Sequence, residues 1–159
     1  MKEIELTQGQ IAIVDDEDYE YLSQWKWHAS KNYKNKYYAR TSVGSKKSQK
    51  KVYMHRIVIK CPDNLEVDHI NGDGLDNRKM NLRSCTRQEN SRNVKRKNLT
   101  GYKGVIKENK FYCARVYDGK KEHISEYFLT ARQAALAYDI KARELFGEFA
   151  KLNFSEGVK

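Results

Sequence analysis

Apolar and polar residues alternate near the start of the chain, with the two-residue period of a β-strand. In "KEIELTQGQIAIV", residues 2–14, Ile4 and Leu6 precede a glycine, and Ile11 and Ile13 follow it. This pattern predicts a β-hairpin whose apolar face holds these four side chains. The acidic stretch "DDEDYEYLSQW" comes next and predicts a short helix, because carboxylates are favoured in the first helical turn.

Further strand-like segments lead to a region with a different pattern. "WKWHA", "KYYARTSV" and "KVYMHRIVI" predict strands, the basic insert "GSKKSQKK" predicts a solvated loop between the last two, and Pro62 closes this block. In residues 65–93, "LEVDHI" and "LRSC" predict strands around the turn-rich loop "NGDGLDNRKMN", where Asx turns are expected. Thr86 and Glu89 match the capping box S/T-x-x-E, so a helix should follow.

Residues 101–154 predict a second small domain. "KGVIK", "KFYCARVYD" and "KEHISEYF" predict three strands, with a tight turn at Asp118-Gly119. "TARQAALAYDIKARELFG" predicts a helix that begins with a capping box at Thr130 and ends at Gly147. The expected fold class is α+β: a block of small strands, a strand–loop–strand–helix unit, and a three-stranded antiparallel sheet packed on one helix.

The composition favours a folded protein with a basic surface. The 159 residues carry a formal net charge of +10 and a pI near 9.4, which favours a polyanionic partner. The 11 Tyr, 5 Phe and 2 Trp are too many for a disordered basic tail. A nucleic acid is therefore the favoured partner. The alternative is a soluble protein whose positive charge serves no partner.

Cysteines and hydropathy indicate the compartment. Cys61, Cys85 and Cys113 are widely spaced and form no C-x-x-C pair, so a zinc knuckle is not expected and the thiols suit a reducing compartment. The polar start "MKEIELTQGQ" does not resemble a signal peptide, and no apolar segment reaches 18 residues. We expect a cytoplasmic protein of a phage or bacterial host cell, with no membrane contact.

The Asp68-His69 pair at the end of a predicted strand is a candidate for phosphodiester hydrolysis. A histidine near its neutral pKa can activate water, and a divalent cation held by hard oxygen ligands can stabilise the leaving oxygen. Adjacent strand residues point to opposite faces, so the twist at the strand end would have to bring both side chains to one phosphate. Asn90, in the first turns of the capped helix, offers an amide oxygen as a second ligand.

The segment "VDHINGDGLDNRKMNLRSCTRQEN" resembles the ββα-metal motif of HNH endonucleases, in the phage and intron homing branch. The resemblance implies one Mg²⁺ or Mn²⁺ per active site, held by Asp68 and Asn90. It implies His69 as general base and Asn81 as the residue that pins the loop and orients His69. Asn77 competes with Asn81 for that role. Arg87, one turn before Asn90, is a candidate contact to the scissile phosphate, with simple solvation as the alternative.

This segment has two other interpretations, a surface hairpin and a calcium loop. An Asp-His pair beside a glycine turn is often only a surface hairpin. Alternating oxygens in "DHINGDGLDN" would suit calcium, but Lys79 stands where the bidentate Glu of a calcium loop is expected. His55, in a predicted strand, is expected to be structural, although it could support the site. No role is expected for His28 or His123.

The second domain resembles the plant APETALA/ethylene-response-factor DNA-binding domain, which also occurs in homing endonucleases. The resemblance rests on "YKGV", "ARVYD", Thr130 to Asp139, and Gly147 to Phe154. It implies a sheet that enters the major groove. The plant target site is not implied, since Ile106 and Tyr117 stand where the plant proteins have basic residues. In "FYCARVY", alternation predicts that Phe111, Cys113, Arg115 and Tyr117 lie on the open face of the sheet.

The DNA contacts predicted here are divided between the sheet and the linker. Arg115, Tyr117 and Lys103 are expected to bind DNA, with Lys107 as a further candidate. Lys95 and Arg96, in the acid-free stretch "SRNVKRKNLTGYK", could track phosphates or be only solvated. A protein-binding or stabilising appendage is the alternative for this domain.

The combined hypothesis is a site-specific, metal-dependent HNH endonuclease of the homing type that acts on double-stranded DNA. The predicted boundaries are 1–93 for the nuclease domain, with the ββα-metal unit at about 65–93, 94–100 for a basic linker, and 101–155 for the DNA-binding domain. The protein is expected to be a monomer without a protein partner. A DNA-binding regulator with an inactive HNH remnant, and an RNA-binding or RNA-cleaving protein, are the alternatives.

Overall fold

The computed structural model describes residues 1–33, 35–45, 48–93 and 98–154. The chain divides into two compact units, Met1–Asn90 and Ser91–Lys159. Small antiparallel sheets and a few helices make up both units, in agreement with the predicted α+β class. No helix within the described ranges is long and apolar enough to cross a membrane.

In the described residues, the first unit contains three small sheets and three short α-helices. Its elements are β1 (Lys2–Glu5), β2 (Ile11–Val14), α1 (Asp16–Leu22), β3 (His28–Lys31), β4 (Tyr37–Ser45), β5 (Ser48–Tyr53), α2 (Met54–Val58), β6 (Glu66–His69), β7 (Leu82–Cys85) and α3 (Arg87–Arg92), the last of which runs into the second unit. β1 pairs with β2, β3–β4–β5 form a three-stranded sheet, and β6 pairs with β7, all antiparallel. One core joins these sheets, around Leu22, Trp27 and Met54.

The first hairpin forms as predicted, but its apolar face differs. Ile4 and Leu6 are buried, and their partners in the core are Ala12 and Val14 rather than the neighbouring isoleucines. Ile11 is 43% exposed. The cause is the register: Ile4 pairs with Ala12 across the hairpin, and paired residues project to the same face.

The predicted strand "KVYMHRIVI" is wrong in its second half, which forms α2. β5 ends at Tyr53, and the chain then turns into a helix that buries Met54, His55 and Val58. β-branched residues favour a strand locally. The four-residue spacing of Met54 and Val58 instead suits one helix face against the core, and tertiary packing decides the outcome. His55 is therefore a helical residue.

Strand, loop, strand and helix follow one another in residues 66–92 as the sequence predicts. Asp68 pairs with Arg83 and His69 with Leu82. The capping box of α3 is confirmed: the Glu89 carboxylate accepts from the Thr86 backbone N–H at 2.7 Å, and the Thr86 hydroxyl accepts from the Glu89 backbone N–H at 3.3 Å. This cap fixes where the helix begins, at Arg87, four residues before Ser91.

The second unit is a three-stranded antiparallel sheet with one helix on it. Its elements are β8 (Val105–Glu108), β9 (Phe111–Tyr117), β10 (Glu122–Ile124) and α4 (Ala131–Phe146), with strand order β10–β9–β8. The predicted capping box at Thr130 is present, and Gly147, with φ of 54°, ends the helix. Ala114 and Val116 pack against Tyr138 and Ala142, so the helix covers the predicted face of β9.

The opposite face of this sheet is less open than predicted. Phe111 and Tyr117 are 45% and 64% exposed, whereas Cys113 is completely buried, so the prediction of an open-face cysteine is wrong. Glu108 forms an ion pair with the Arg115 guanidinium and accepts a hydrogen bond from the Tyr127 hydroxyl at 2.6 Å. Arg115 also interacts with the Cys113 side chain, so the thiol has a neighbour on this face.

Candidate active site

Asn81 holds the two ends of the loop between β6 and β7 together. Its Oδ1 accepts from the Asn71 backbone N–H at 3.0 Å, and its Nδ2 donates to the Asp76 carbonyl at 2.8 Å. Its own carbonyl accepts from the Ile70 N–H at 2.9 Å. With 6% exposure, the Asn81 amide is an internal clamp that uses its donor and its acceptor at once.

The loop itself is built on side-chain turns. The Asn71 carboxamide accepts from the Asp73 N–H at 2.8 Å, and the Asp73 carboxylate accepts from the Leu75 N–H at 3.0 Å, which confirms the predicted Asx turns. The carboxylate of Asp76, 3% exposed, receives two nitrogens of Arg78 at 2.7 and 2.8 Å. The Asp76 charge is thus already neutralised within the loop, which argues against a calcium site there.

Backbone bonds to the N-terminal hairpin brace the same loop. The Asn77 N–H donates to the Ile13 carbonyl at 2.8 Å, and the Ile13 N–H donates to the Leu75 carbonyl at 2.9 Å. The Lys79 N–H donates to the Asp15 carboxylate at 2.8 Å. Residues more than sixty positions upstream therefore fix the geometry of the loop that follows His69.

His69 is 6% exposed, and its environment lowers its pKa. Burial disfavours the imidazolium most strongly, while Asp68, Asp73, a side-chain hydrogen bond with Asn77, and Asp76 act in the opposite direction. The net shift leaves the ring neutral at pH 7, which is the form a general base needs. Asn77 therefore acts on the pKa of His69, whereas the hydrogen bonds that pin the loop come from Asn81.

A cluster of aromatic rings surrounds His69. The His55 ring meets it edge to face with centroids 5.1 Å apart, and the Tyr38 ring lies 5.7 Å away. Tyr53 stacks on His55 at 5.3 Å with an interplanar angle of 4°. A Cβ added to Gly74 would lie 2.7 Å from the Tyr38 ring, so the loop also rests closely on this cluster. The general-base candidate is thus held by contacts on several sides.

Asp68 lies on the other face of the β6–β7 hairpin. It is 3% exposed, and its Oδ2 accepts from two nitrogens of Arg83, at 2.6 and 3.0 Å. The register explains the contact, since these two residues are directly paired across the strands. Burying a carboxylate is costly unless it is paired, and Arg83 supplies that pairing.

Asn90 joins this face through Glu66. Its Nδ2 donates to Glu66 Oε2 at 2.7 Å, and Glu66 precedes Asp68 by two residues on β6. Residues two apart on a strand project to the same face. Because the amide nitrogen is committed to Glu66, the Oδ1 of Asn90 is the atom left to face another partner.

Several carboxylates surround the Cys85 thiol on this face. Burial is the main cause that raises the pKa of Cys85 to about 11, followed by the charges of Asp68, Glu66 and Glu89. Within the described residues, no three His, Cys, Asp or Glu side chains are grouped so as to hold a metal ion by themselves. The oxygens of Asp68 and Asn90 have the chemistry that Mg²⁺ or Mn²⁺ prefers, and such a site is completed by water and phosphate oxygens.

Comparison with known proteins identifies the family. A family model described as HNH endonuclease matches residues 52–92, which contain α2, the loop and α3. A protein of Acanthamoeba polyphaga mimivirus, named as an uncharacterized HNH endonuclease, is 34% identical over 147 residues. The match covers 91% of this chain and 75% of the viral protein. This chain belongs to the HNH endonuclease family.

The remaining predicted site residues of this HNH endonuclease are dispersed. Arg87 is exposed on α3, and Tyr117 is exposed at the end of β9. Lys103 precedes β8, and its ammonium donates to the Arg92 carbonyl. Arg115 forms ion pairs with Glu108 and Glu122. Lys95 and Arg96 lie outside the described residues.

Sequence reasoning missed three contacts of the HNH site, those of Glu66, Arg83 and Tyr38, and named His55 as a structural residue that could support the site. A signal existed for Glu66, because it shares a strand face with Asp68 by the two-residue period. Arg83 required the hairpin register. Tyr38 lies thirty-one positions before His69, and no local pattern relates the two.

Proposed function

We propose that this HNH endonuclease hydrolyses phosphodiester bonds of double-stranded DNA in a metal-dependent reaction at a specific site, as homing endonucleases do. The observation that carries the proposal is the arrangement around β6. His69 lies neutral and buried on one face, while Asp68 and the Glu66–Asn90 pair lie on the other. A base and hard oxygen donors at the end of one hairpin supply the groups that hydrolysis of a phosphodiester requires, and the scissile phosphate would lie between the two faces at the strand end.

In this proposal His69 takes a proton from the attacking water. The ring is neutral at pH 7 and ringed by His55 and Tyr38, which restrict its rotation. Water attack on phosphorus breaks the bond to the 3′ oxygen, so the products are a 5′-phosphate and a 3′-hydroxyl. General-base catalysis of this kind contributes roughly 10²–10⁴-fold to the rate.

Asp68 and Asn90 would hold the cation, Mg²⁺ or Mn²⁺. When bound, the cation would neutralise negative charge that develops on the leaving oxygen. Arg83 holds the Asp68 carboxylate in place, since its guanidinium contacts Oδ2 at 2.6 Å. Glu66 orients the Asn90 amide through its nitrogen. Asn81 pins the loop that follows His69.

We further propose that the second unit is an APETALA/ethylene-response-factor-like domain that binds DNA. Support comes from its sheet-on-helix architecture and from Tyr117, which is exposed on the face opposite α4. Arg115 would have to exchange its ion pair with Glu108 for a DNA contact. Arg87, Lys95, Arg96 and Lys103 remain proposed DNA contacts, and residues 94–100 a proposed linker.

A plasmid assay tests the activity. Supercoiled plasmids with random inserts are incubated with the protein in Mg²⁺ or EDTA, and the cut ends are sequenced. Nicking or linearisation in Mg²⁺ alone is expected, with cuts at one sequence. His69→Ala should lose at least about 10²-fold of the rate, whereas His123→Ala, a histidine of the second unit, should retain it.

The same assay separates the alternative, a DNA-binding regulator with an inactive HNH remnant. That alternative predicts a protein that shifts DNA in a gel and leaves every plasmid supercoiled, with or without the metal. Nicking that persists in His69→Ala would reject the assigned base.

A further inference from the structure

One face of the three-stranded sheet β3–β4–β5 is continuous with the candidate active site. Strand pairing places these residues on one face, and we call it the site-side face: His28, Ser30, Tyr38, Arg40, Ser42, Gln49, Lys51 and Tyr53. The other face holds Ala29, Ala39 and Thr41, which are buried, the two alanines in the core. The site-side face is therefore the one directed away from the core of the first unit.

Contacts with the two histidines fix where this face begins. Tyr38 lies 5.7 Å from His69 and 5.9 Å from His55, and Tyr53 stacks on His55 at 5.3 Å. The next residue of β4 on this face is Arg40, which pairs with Tyr53 on β5. The residue after it on the same face is Ser42, which pairs with Lys51. The face thus runs from the candidate base to two cationic side chains.

The length of this path suits a nucleic-acid strand. Ser42 lies four residues beyond Tyr38, which is about 13 Å along a strand at about 3.3 Å per residue. One strand of DNA places a phosphate about every 3.4 Å of helix axis. A strand whose scissile phosphate is at His69 would pass about four phosphates before it reached Lys51.

The charge of the site-side face fits the same occupant. None of its eight residues is acidic, and within the described ranges neither Arg40 nor Lys51 forms an ion pair. The sheet of the second unit differs, because Glu108 and Glu122 there pair with Arg115. A cation without a carboxylate partner can release counterions from DNA without first losing an internal contact.

We propose that the site-side face is a DNA-binding surface on which Arg40 and Lys51 contact phosphates of the strand whose scissile phosphate lies at His69. The inference rests on the proposed nuclease function for the position of the scissile phosphate. It assigns to the N-terminal sheet a part in holding the substrate, in addition to its part in the core.

Lys50 offers a matched control for the test. It is exposed like Lys51, lies next to it on β5, and pairs with Val43 on the opposite face. Lys50→Ala and Lys51→Ala remove the same charge one position apart. If DNA lies on the site-side face, only Lys51→Ala should weaken DNA binding. A general attraction of DNA to positive charge would make both variants bind more weakly to the same extent.

The full chain and its Arg40→Ala, Lys51→Ala and Lys50→Ala variants are titrated with a short duplex in EDTA over a range of salt concentrations. Each site-side variant should lower the slope of log affinity against log salt by about 0.9, which is about an eight-fold loss of affinity at 0.1 M salt. Lys50→Ala should keep the wild-type slope. If Arg40→Ala, which is half-buried, failed to fold, Lys51→Ala would still decide the question.

Equal slopes for Lys50→Ala and Lys51→Ala would overturn the proposal, and so would a wild-type slope in every variant. Since binding is measured in EDTA, the result does not depend on cleavage. A plasmid assay of the wild-type protein in Mg²⁺ reports separately on the nuclease function, so the failure of either idea can be recognised by itself.

Discussion

The imidazole of His55 packs edge to face on the imidazole of His69, with ring centroids 5.1 Å apart. Burial lowers the pKa of His55 to about 3, and the proximity of His69 and Arg56 adds to the shift. A charged His55 would repel a proton on its neighbour and would itself lack solvation. The pair is therefore a neutral, closely packed unit, and this has a measurable consequence for stability.

Folding stability should fall as the pH falls below about 6.5. The unfolded chain protonates His55 near pH 6.5 but the folded chain only near pH 3, so the unfolded state binds more protons between these values. At pH 5 this costs the folded state about 2 kcal/mol. His55→Phe should remove that loss when urea denaturation is compared at pH 7 and pH 5 in EDTA. His28→Phe, at an exposed position, is the control, and an unchanged pH dependence in His55→Phe would contradict the assignment.

Glu66 should control metal affinity through Asn90. Removal of a group that orients a metal ligand commonly weakens binding about 10–100-fold. Glu66→Ala is expected to weaken Mn²⁺ binding to this extent in calorimetry without DNA, because the Asn90 amide loses its 2.7 Å partner. Glu66→Gln can still accept this hydrogen bond and should retain most of the affinity.

Asp68→Ala serves as the control for the Mn²⁺ titrations of the Glu66 variants, because it removes a proposed metal ligand. Loss of Mn²⁺ binding in Asp68→Ala together with wild-type binding in Glu66→Ala would show that Glu66 does not orient a ligand. Equal losses in Glu66→Ala and Glu66→Gln would instead indicate that its charge matters, rather than its hydrogen bond.

Asn81→Ala should loosen the loop that follows His69. It deletes hydrogen bonds to the Asn71 N–H and the Asp76 carbonyl, at about 1 kcal/mol each, and leaves buried backbone groups without partners. A loss of roughly 2–3 kcal/mol in urea denaturation is expected. Asn81→Asp keeps the acceptor and loses the donor, so an intermediate value is expected. Wild-type stability in Asn81→Ala would show that the clamp is redundant.

Glu108→Gln should strengthen DNA binding if the sheet of the second unit contacts DNA through Arg115. The substitution removes the carboxylate that pairs with Arg115 and leaves a neutral side chain of similar shape. The slope of log affinity against log salt should become steeper by up to about 0.9. Glu126→Gln, which removes the same charge outside the three strands, is the comparison. Weaker or unchanged binding in Glu108→Gln would argue that Arg115 is only structural.

Local sequence signals predicted the parts of the fold that are held by local contacts. The Thr86–Glu89 and Thr130–Gln133 capping boxes, the Asx turns at Asn71 and Asp73, and the Gly147 stop all depend on neighbours within a few residues. Each of these is recognisable from residue type and spacing alone.

Features that depend on distant partners were not predictable in the same way. The strand preference of Ile57 and Val58 was overridden because Met54 and Val58 pack on a core assembled from other segments. The burial of Ala12 in place of Ile11 follows from a hairpin register. The Asp68–Arg83 ion pair and the contact of Tyr38 with His69 require knowledge of which strands are neighbours.

The bracing of the loop by Ile13 and Asp15 limits how the nuclease could be shortened or transplanted. Residues 52–92, which match the family model, contain every proposed catalytic group. They contain neither the Ile13 backbone that holds Leu75 and Asn77 nor the Asp15 carboxylate that holds Lys79. A fragment limited to residues 52–92 would keep the proposed catalytic residues but lose the contacts that hold their loop in place. Engineered fusions should therefore preserve the N-terminal hairpin and Asp15.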